Sequence, residues 1–166
     1  MTDQPSRTLS ITVTGEDRPG VTGNILAAIA TTGAEVLDIQ QVVVHGHLTL
    51  ALVLTVGDSA AANEALRDAA AIAAHRLGLT LAVAEGEGDN ARPRQGRAAV
   101  VVLGSPLHAA AVGLITNQIA AHGANIDRIR RLSRYPVTTI EFDVSGARVE
   151  ELRRELALFA AENAVD

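Results

Sequence analysis

Leu9, Ile11 and Val13 alternate with Ser10, Thr12 and Thr14, the period of a strand with one buried face. Val21, Ile25, Ala28 and Ile29 then fall on one side of a helix, and Gly33 in Thr31-Thr32-Gly33-Ala34 stands where a helix stop is expected. A β-branched run from Val36 to Val44, a turn at His45-Gly46-His47, and Leu48, Leu50, Leu52 and Leu54 at period two predict a hairpin. Gly57-Asp58-Ser59 ends that strand. Ser59 or Asp58 is available to cap a helix with Leu66, Ala69, Ala70, Ala73 and Leu77 on its inner side. Gly78 closes the helix, and Leu79, Leu81 and Val83 form a short last strand.

Glu85 to Arg97 holds Gly86, Gly88, Asn90, Pro93 and Gly96 among mixed charges, the composition of a solvated linker. The order then starts again. Ala98 to Leu103 reads as a strand, Gly104-Ser105-Pro106 as a turn, and Val112, Ile115 and Ile119 as the buried face of a helix that stops at Gly123. Asn125 to Leu132 is a second strand and Tyr135-Pro136 a turn. Ile140, Phe142 and Val144 alternate with Glu141, Asp143 and Ser145 as a third strand. Ser145-Gly146 opens a helix with Val149, Leu152, Leu156 and Phe159 or Ala160 inward.

The halves are one unit repeated: Gly15 matches Gly104, Gly33 matches Gly123, Thr49 matches Thr139 and Leu52 matches Phe142. A strand-helix-strand-strand-helix-strand unit predicts an antiparallel sheet with its helices on one face, an α+β fold of ferredoxin-like type. The expected boundaries are 1–86 for the first domain, 87–97 for the linker and 98–166 for the second. The second repeat runs out at Ala164-Val165-Asp166, where its last strand is expected. The chain is therefore expected to belong to a longer protein or to complete that sheet with another molecule.

Gly15-Glu16-Asp17-Arg18-Pro19-Gly20-Val21-Thr22 joins the first strand to the first helix. Asp17 is the expected helix N-cap, Pro19 suits a first turn, and Gly20 admits close approach of another group. Free amides at a helix start favour an anion such as a carboxylate, so an acid beside them can hold both ends of an amino acid. The same residues also suffice simply to shape the turn. In the second repeat Gly20 corresponds to Ala110 and Asp17 to Pro106 or Leu107, so the repeats are equivalent in fold and not in chemistry.

Composition narrows the chemistry further. The 166 residues are 48% hydrophobic, enough for packed cores, and a net charge of −5 argues against general attraction to nucleic acid or anionic membrane. There is no cysteine and no lysine. Disulfides, thiolate metal sites, cysteine nucleophiles, Schiff bases and phosphate-loop lysines are thereby excluded, and a cytoplasmic location is the default. No apolar run approaches the roughly 18 residues of a membrane span. His45 and His47 lack an evident third ligand, and Tyr135, Phe142 and Phe159, the only aromatics, give Arg128, Arg130, Arg131 and Arg134 no stacking platform for bases.

With Asp17, Pro19, Gly20 and Val21 at its first turn, the unit resembles the ACT domain, a family of small regulatory modules that commonly bind amino acids between paired domains. The whole length resembles the tandem ACT region at the N-terminus of the longer bacterial phosphoserine phosphatases. The matching runs are Gly15 to Thr22, Val36 to Leu54, Asn125-Ile126-Asp127 and Tyr135-Pro136-Val137-Thr138. In that family a haloacid-dehalogenase-type domain follows, using an Asp-x-Asp nucleophile, magnesium and a lysine. This sequence has neither such a motif nor a lysine, so the resemblance implies a non-catalytic chain without a cofactor, magnesium being expected only in the absent domain.

It also implies a site. Asp17 would pair with the ammonium of L-serine, the amides near Gly20, Val21 and Thr22 would take the carboxylate, and the segment Asn125-Ile126-Asp127 of a facing second repeat would meet the hydroxyl through Asn125 and Asp127. Asn125 as a turn residue and Asp127 as an edge charge stand beside those roles. The implied partners are L-serine or a similar small amino acid, a second copy of the chain, and a C-terminal phosphatase domain. A dimerisation module without ligand, and a free-standing tandem-ACT regulator of amino-acid metabolism, are the alternatives.

Overall fold

The computed structural model describes residues 7–57, 59–88 and 95–163. The polar N-terminus up to Ser6, Asp58 as an alternative cap, the centre of the linker with Asn90 and Pro93, and Ala164-Val165-Asp166 lie outside the described residues. The chain divides into two compact units, Met1–Ala91 and Arg92–Asp166. Each is α+β and ferredoxin-like.

The first unit runs β1 (Arg7–Glu16), α1 (Val21–Ala30), β2 (Val36–Val44), β3 (His47–Thr55), α2 (Ala60–Arg76) and β4 (Thr80–Glu87). Its four strands lie in the order β2-β3-β1-β4, every neighbouring pair antiparallel. The alternation in sequence becomes the core: Leu9, Ile11, Val13, Leu48, Leu50, Leu52 and Leu54 are buried beneath α1 and α2, against Ile25, Ile29, Leu66 and Ala70. Removing each such aliphatic side chain from water contributes about 1.5–3 kcal/mol, so this layer is the principal source of the unit's stability. His45 and Gly46 form the two-residue hairpin turn with φ of 49° and 75°, the left-handed pair that matches strand twist. Ser59 caps α2 by accepting from the Ala62 N–H at 3.1 Å.

The second unit runs β5 (Ala98–Gly104), α3 (Ala109–Ala121), β6 (Asn125–Ser133), β7 (Thr138–Ser145) and α4 (Val149–Asn163). Its sheet has three antiparallel strands in the order β5-β7-β6. Phe142, Val144, Val102, Ile115, Ile119 and Leu152 form its core. The helix expected to open at Ser145-Gly146 begins later, at Val149, because Ser145 is still paired with Asn125 as the last residue of β7.

Strand pairing proves the repeat residue by residue. Ile11 pairs with Leu52 as Val100 pairs with Phe142, and Gly15 with Leu48 as Gly104 with Thr138. The outer strands agree as well: Ile39 faces Leu52 and Ile129 faces Phe142. Even an irregularity is shared, since the register shifts between Val36 and Asp38 and again between Ile126 and Arg128. Leu37 and Asp127 occupy that equivalent bulge.

The segment expected as linker is partly structure. Glu85, Gly86 and Glu87 extend β4 opposite Leu9, Thr8 and Arg7, because Arg7 and Arg67 both pair with Glu85 and hold it at the strand. At the other end the Gln95 and Gly96 carbonyls accept from the Gly146 and Ala147 N–H groups at 3.2 and 3.0 Å. Among the described residues no helix is long and apolar enough to cross a membrane.

Candidate functional site

The β1–α1 turn is built from both sides. Glu16 pairs with His47 at the end of β1, and the Asp17 N–H donates to the Gly46 carbonyl at 2.8 Å, so the hairpin tip of β2 and β3 holds the turn's first residue. Arg18 reaches in the other direction and donates from its guanidinium to the Leu77 carbonyl, the C-cap of α2. A cation at a helix C-terminus meets the negative end of the helix dipole and an otherwise orphaned acceptor. The turn is thus tied to a strand tip and to a helix end.

Asp17 is not the helix N-cap. That position is Gly20, with φ of 88° and no side-chain cap, so Arg18 and Pro19 separate Asp17 from the cap and Pro19 precedes the helix instead of starting it. The correction follows from the backbone: the cap is in the left-handed region, which a glycine adopts at little cost and an aspartate does not. A capping carboxylate would consume the helix-start amides. Here the Val21 N–H turns back to the Arg18 carbonyl at 3.3 Å and the Asn24 N–H to the Gly20 carbonyl at 2.9 Å. The N–H groups of Thr22 and Gly23 have no partner among the described residues.

The Asp17 carboxylate is exposed and has no ion-pair partner among the described residues. Val21 is 3% exposed, so its side chain belongs to the core and only its backbone faces the turn. Thr22 donates from its hydroxyl to Gln41 Oε1 at 2.6 Å, joining the helix start to β2, and Asn24 donates from Nδ2 to the Gly20 carbonyl at 2.8 Å. Gln41 and Asn24 are polar groups at this turn that sequence spacing did not single out. Gln41 lies in an apolar β-branched run, and only the pairing of β2 with β3 turns its side chain to the helix face.

Asn125, Ile126 and Asp127 stand at the start of β6, in the other unit. Asn125 donates from Nδ2 to Asp127 Oδ1 at 2.9 Å across the bulge. Ile126 packs against the second core. Arg130 bonds to Glu141 on the adjoining strand, and that hydrogen bond first, then the charge of Glu141, raises the guanidinium further above its ordinary value. One member of the arginine cluster of β6 is therefore half of a cross-strand ion pair.

The second unit has no counterpart of the polar turn. Its helix starts earlier: α3 is capped at His108, and Ala110, the match of Gly20, is already inside it. From the strand and helix registers, Val112, Leu114 and Arg131 take the places of Thr22, Asn24 and Gln41. Leu107 packs on Gly104 where an added Cβ would stand 3.0 Å from Leu107 Cδ1.

A sheet-and-helix unit that occurs twice, the first with a glycine-capped strand-to-helix turn, defines a class. The ACT-domain family pattern matches residues 7–84 and again residues 97–166, and the chain belongs to that family, as two ACT domains in tandem. It is similar to the phosphoserine phosphatase of Streptomyces coelicolor, 42% identical over 160 residues covering 96% of this chain and 38% of that protein. It is 39% identical over 158 residues to the phosphoserine phosphatase SerB2 of Mycobacterium tuberculosis, covering 94% of this chain and 39% of that one. The chain thus spans about two-fifths of the length of these relatives. Among solved structures, a protein of Galdieria sulphuraria superposes with a TM-score of 0.76 at 17% identity, over 97% of this chain and 95% of that one. A candidate glycine cleavage system transcriptional repressor superposes with a TM-score of 0.73 at 14% identity, over 97% and 94%. These likenesses concern the fold.

Proposed function

We propose that this chain is the amino-acid-sensing and dimerisation region of a phosphoserine phosphatase of L-serine biosynthesis, and that it binds L-serine for feedback control. The β1–α1 turn carries the reading: an exposed carboxylate at Asp17 stands in the same turn as two unpartnered helix-start amides, on Thr22 and Gly23. Opposite charges held one turn apart are what an amino acid's ammonium and carboxylate require. Gln41, whose Oε1 is taken by Thr22, keeps two amide donors that a bound carboxylate can accept from. Asn125 and Asp127 of a facing second ACT domain supply acceptors for the serine hydroxyl. L-alanine and glycine lack the hydroxyl for these bonds and bind more weakly. The site needs no cofactor, and magnesium belongs to the phosphatase domain.

The dimerisation reading has its own support. Val36, Ile39, Val42, Val43 and Val44 of edge strand β2 are 42–59% exposed, and Ile129 and Leu132 of edge strand β6 are 54% and 52% exposed. Exposed apolar side chains grouped on a strand mark a surface that another chain can cover. An interfacial ligand then stabilises the dimer by linkage.

Calorimetry with L-serine, and with glycine and L-alanine as controls, tests both. Stoichiometric L-serine binding that Asp17→Asn weakens by roughly 10-fold or more, the worth of a charge-assisted bond, supports the sensor. No heat from a chain that sediments as a stable dimer overturns the serine site and leaves the dimerisation module.

A further inference from the structure

The two sheets turn different chemistry to the side away from their helices. In the first unit every second residue of β1 and β3 enters the core beneath α1 and α2, so the residues between them form an outer face. Its middle row runs Ala82-Thr12-Ala51-Gln40 across β4, β1, β3 and β2. The rows on either side are Ala84-Ser10-Val53-Asp38 and Thr80-Thr14-Thr49-Val42. Asp38, on an edge strand, is the one charged residue in these rows. Glu16 and His47 lie a row further on, where the strands end beside the β1–α1 turn.

The repeat allows comparison position by position. Since Leu52 matches Phe142, Ala51 matches Glu141, Val53 matches Asp143 and Thr12 matches Val101. Gln40 and Asp38 match Arg130 and Arg128. The second sheet therefore turns Arg130, bonded to Glu141, and Arg128, opposite Asp143, to its outer face. Charges of this kind keep a sheet face in water, because covering them costs their hydration. The first sheet has methyl, hydroxyl and amide groups in their place.

Short side chains make the outer face of the first sheet flat. Ala82 and Ala84 are exposed, and Ser10, Thr12, Thr14 and Ala51 are half-buried. Four strands about 4.8 Å apart, paired over eight residues of about 3.4 Å each, present roughly 500 Å². Two such faces together bury about 1,000 Å², the lower end of a specific interface.

Charge decides what fits there. A charged surface would bury its charges against hydroxyls and methyls that cannot neutralise them, which excludes a face like that of the second sheet. A second copy of the same face brings no such charge. A two-fold axis through β1 and β3 lays the face on itself and leaves both Asp38 carboxylates at the rim, because β2 is an edge strand. Each hydroxyl both donates and accepts, so identical faces supply one another's partners.

We propose that the outer face of the first sheet is a contact between two copies of this chain, sheet stacked on sheet. The contact uses neither the β1–α1 turn nor a ligand, so it stands or falls apart from L-serine binding.

Sedimentation of the full chain without ligand tests it. A dimer is expected whose dissociation constant rises roughly 10-fold or more in Thr12→Arg and in Ala82→Arg, since each copy then buries an unpaired charge. Both side chains point away from the core, and unchanged far-ultraviolet dichroism confirms that the variants fold. Because the chain has no cysteine, a single introduced one is a unique thiol. Thr12→Cys is expected to cross-link two copies through a bis-maleimide with a spacer of about 10 Å, the distance between stacked sheets. Ala27→Cys, on the exposed side of α1, is expected not to. A chain that stays monomeric at millimolar concentration overturns the proposal. So does a dimer that neither arginine variant weakens, a dimer that only Ile39→Arg on the β2 edge weakens, or equal cross-linking at Thr12→Cys and Ala27→Cys.

Discussion

The two ACT domains share a backbone plan and diverge at one turn. At the end of β1 the chain makes an open turn through Asp17, Arg18 and Pro19 before Gly20 caps α1. At the end of β5 it enters the helix sooner, with His108 as cap and Ala110 already helical. The first arrangement leaves two helix-start amides and a carboxylate facing solvent. The second covers Gly104 with Leu107 and replaces Thr22, Asn24 and Gln41 by Val112, Leu114 and Arg131. The sheet register is shared between the domains and the chemistry of the turn is not.

Core substitutions are the strongest way to break this comparison. Phe142→Ala is expected to cost about 3–5 kcal/mol, and Leu52→Ala, at the matching position, about 2–5 kcal/mol. Each should accelerate amide exchange in its own unit alone. Loss of protection in β5 to β7 on Leu52→Ala would show that the two cores are not independent. At the turn itself, Gly20→Ala forces a left-handed φ on an L-residue and is expected to cost about 1–2 kcal/mol in urea unfolding. Ala110→Gly in the second unit costs about 1 kcal/mol for the opposite reason, lost helix propensity. Adding Leu107→Asp to Ala110→Gly restores the letters of the first turn but not its backbone. The double variant should bind no more L-serine than the unaltered chain, and a second calorimetric site would show that residue type alone makes the turn. The smallest effect is expected at α2, where Ser59→Ala removes a side-chain cap at about 1 kcal/mol without touching either turn.

Much of this was legible without coordinates. Leu48, Leu50, Leu52 and Leu54 alternate in sequence and are buried in the structure, and the matches of Gly15 with Gly104 and Leu52 with Phe142 reappear as equivalent strand pairs. The candidate site was legible only as a place. Asp17 looked like a helix cap because it stands where an acid often does, and the left-handed backbone at Gly20 decides otherwise. Ile126, in a segment singled out for ligand contact, is a core contact of the second domain. Glu85 to Glu87 read as linker from composition and are strand, since Arg7 and Arg67 come from distant parts of the chain to pair with Glu85.

Periodicity and the repeat are therefore properties of the chain itself. Burial of alternate residues is enforced locally by the pleat of a strand and the pitch of a helix, so spacing alone records it. Tertiary structure decided what meets what at the turn: the Gly46 carbonyl on the Asp17 amide, Arg18 on the last carbonyl of α2, and Gln41 under the Thr22 hydroxyl. Those contacts join residues 19 to 59 positions apart or depend on which face a strand turns inward. No local period carries that information, because it is set only when the sheet has closed and the helices have been laid across it.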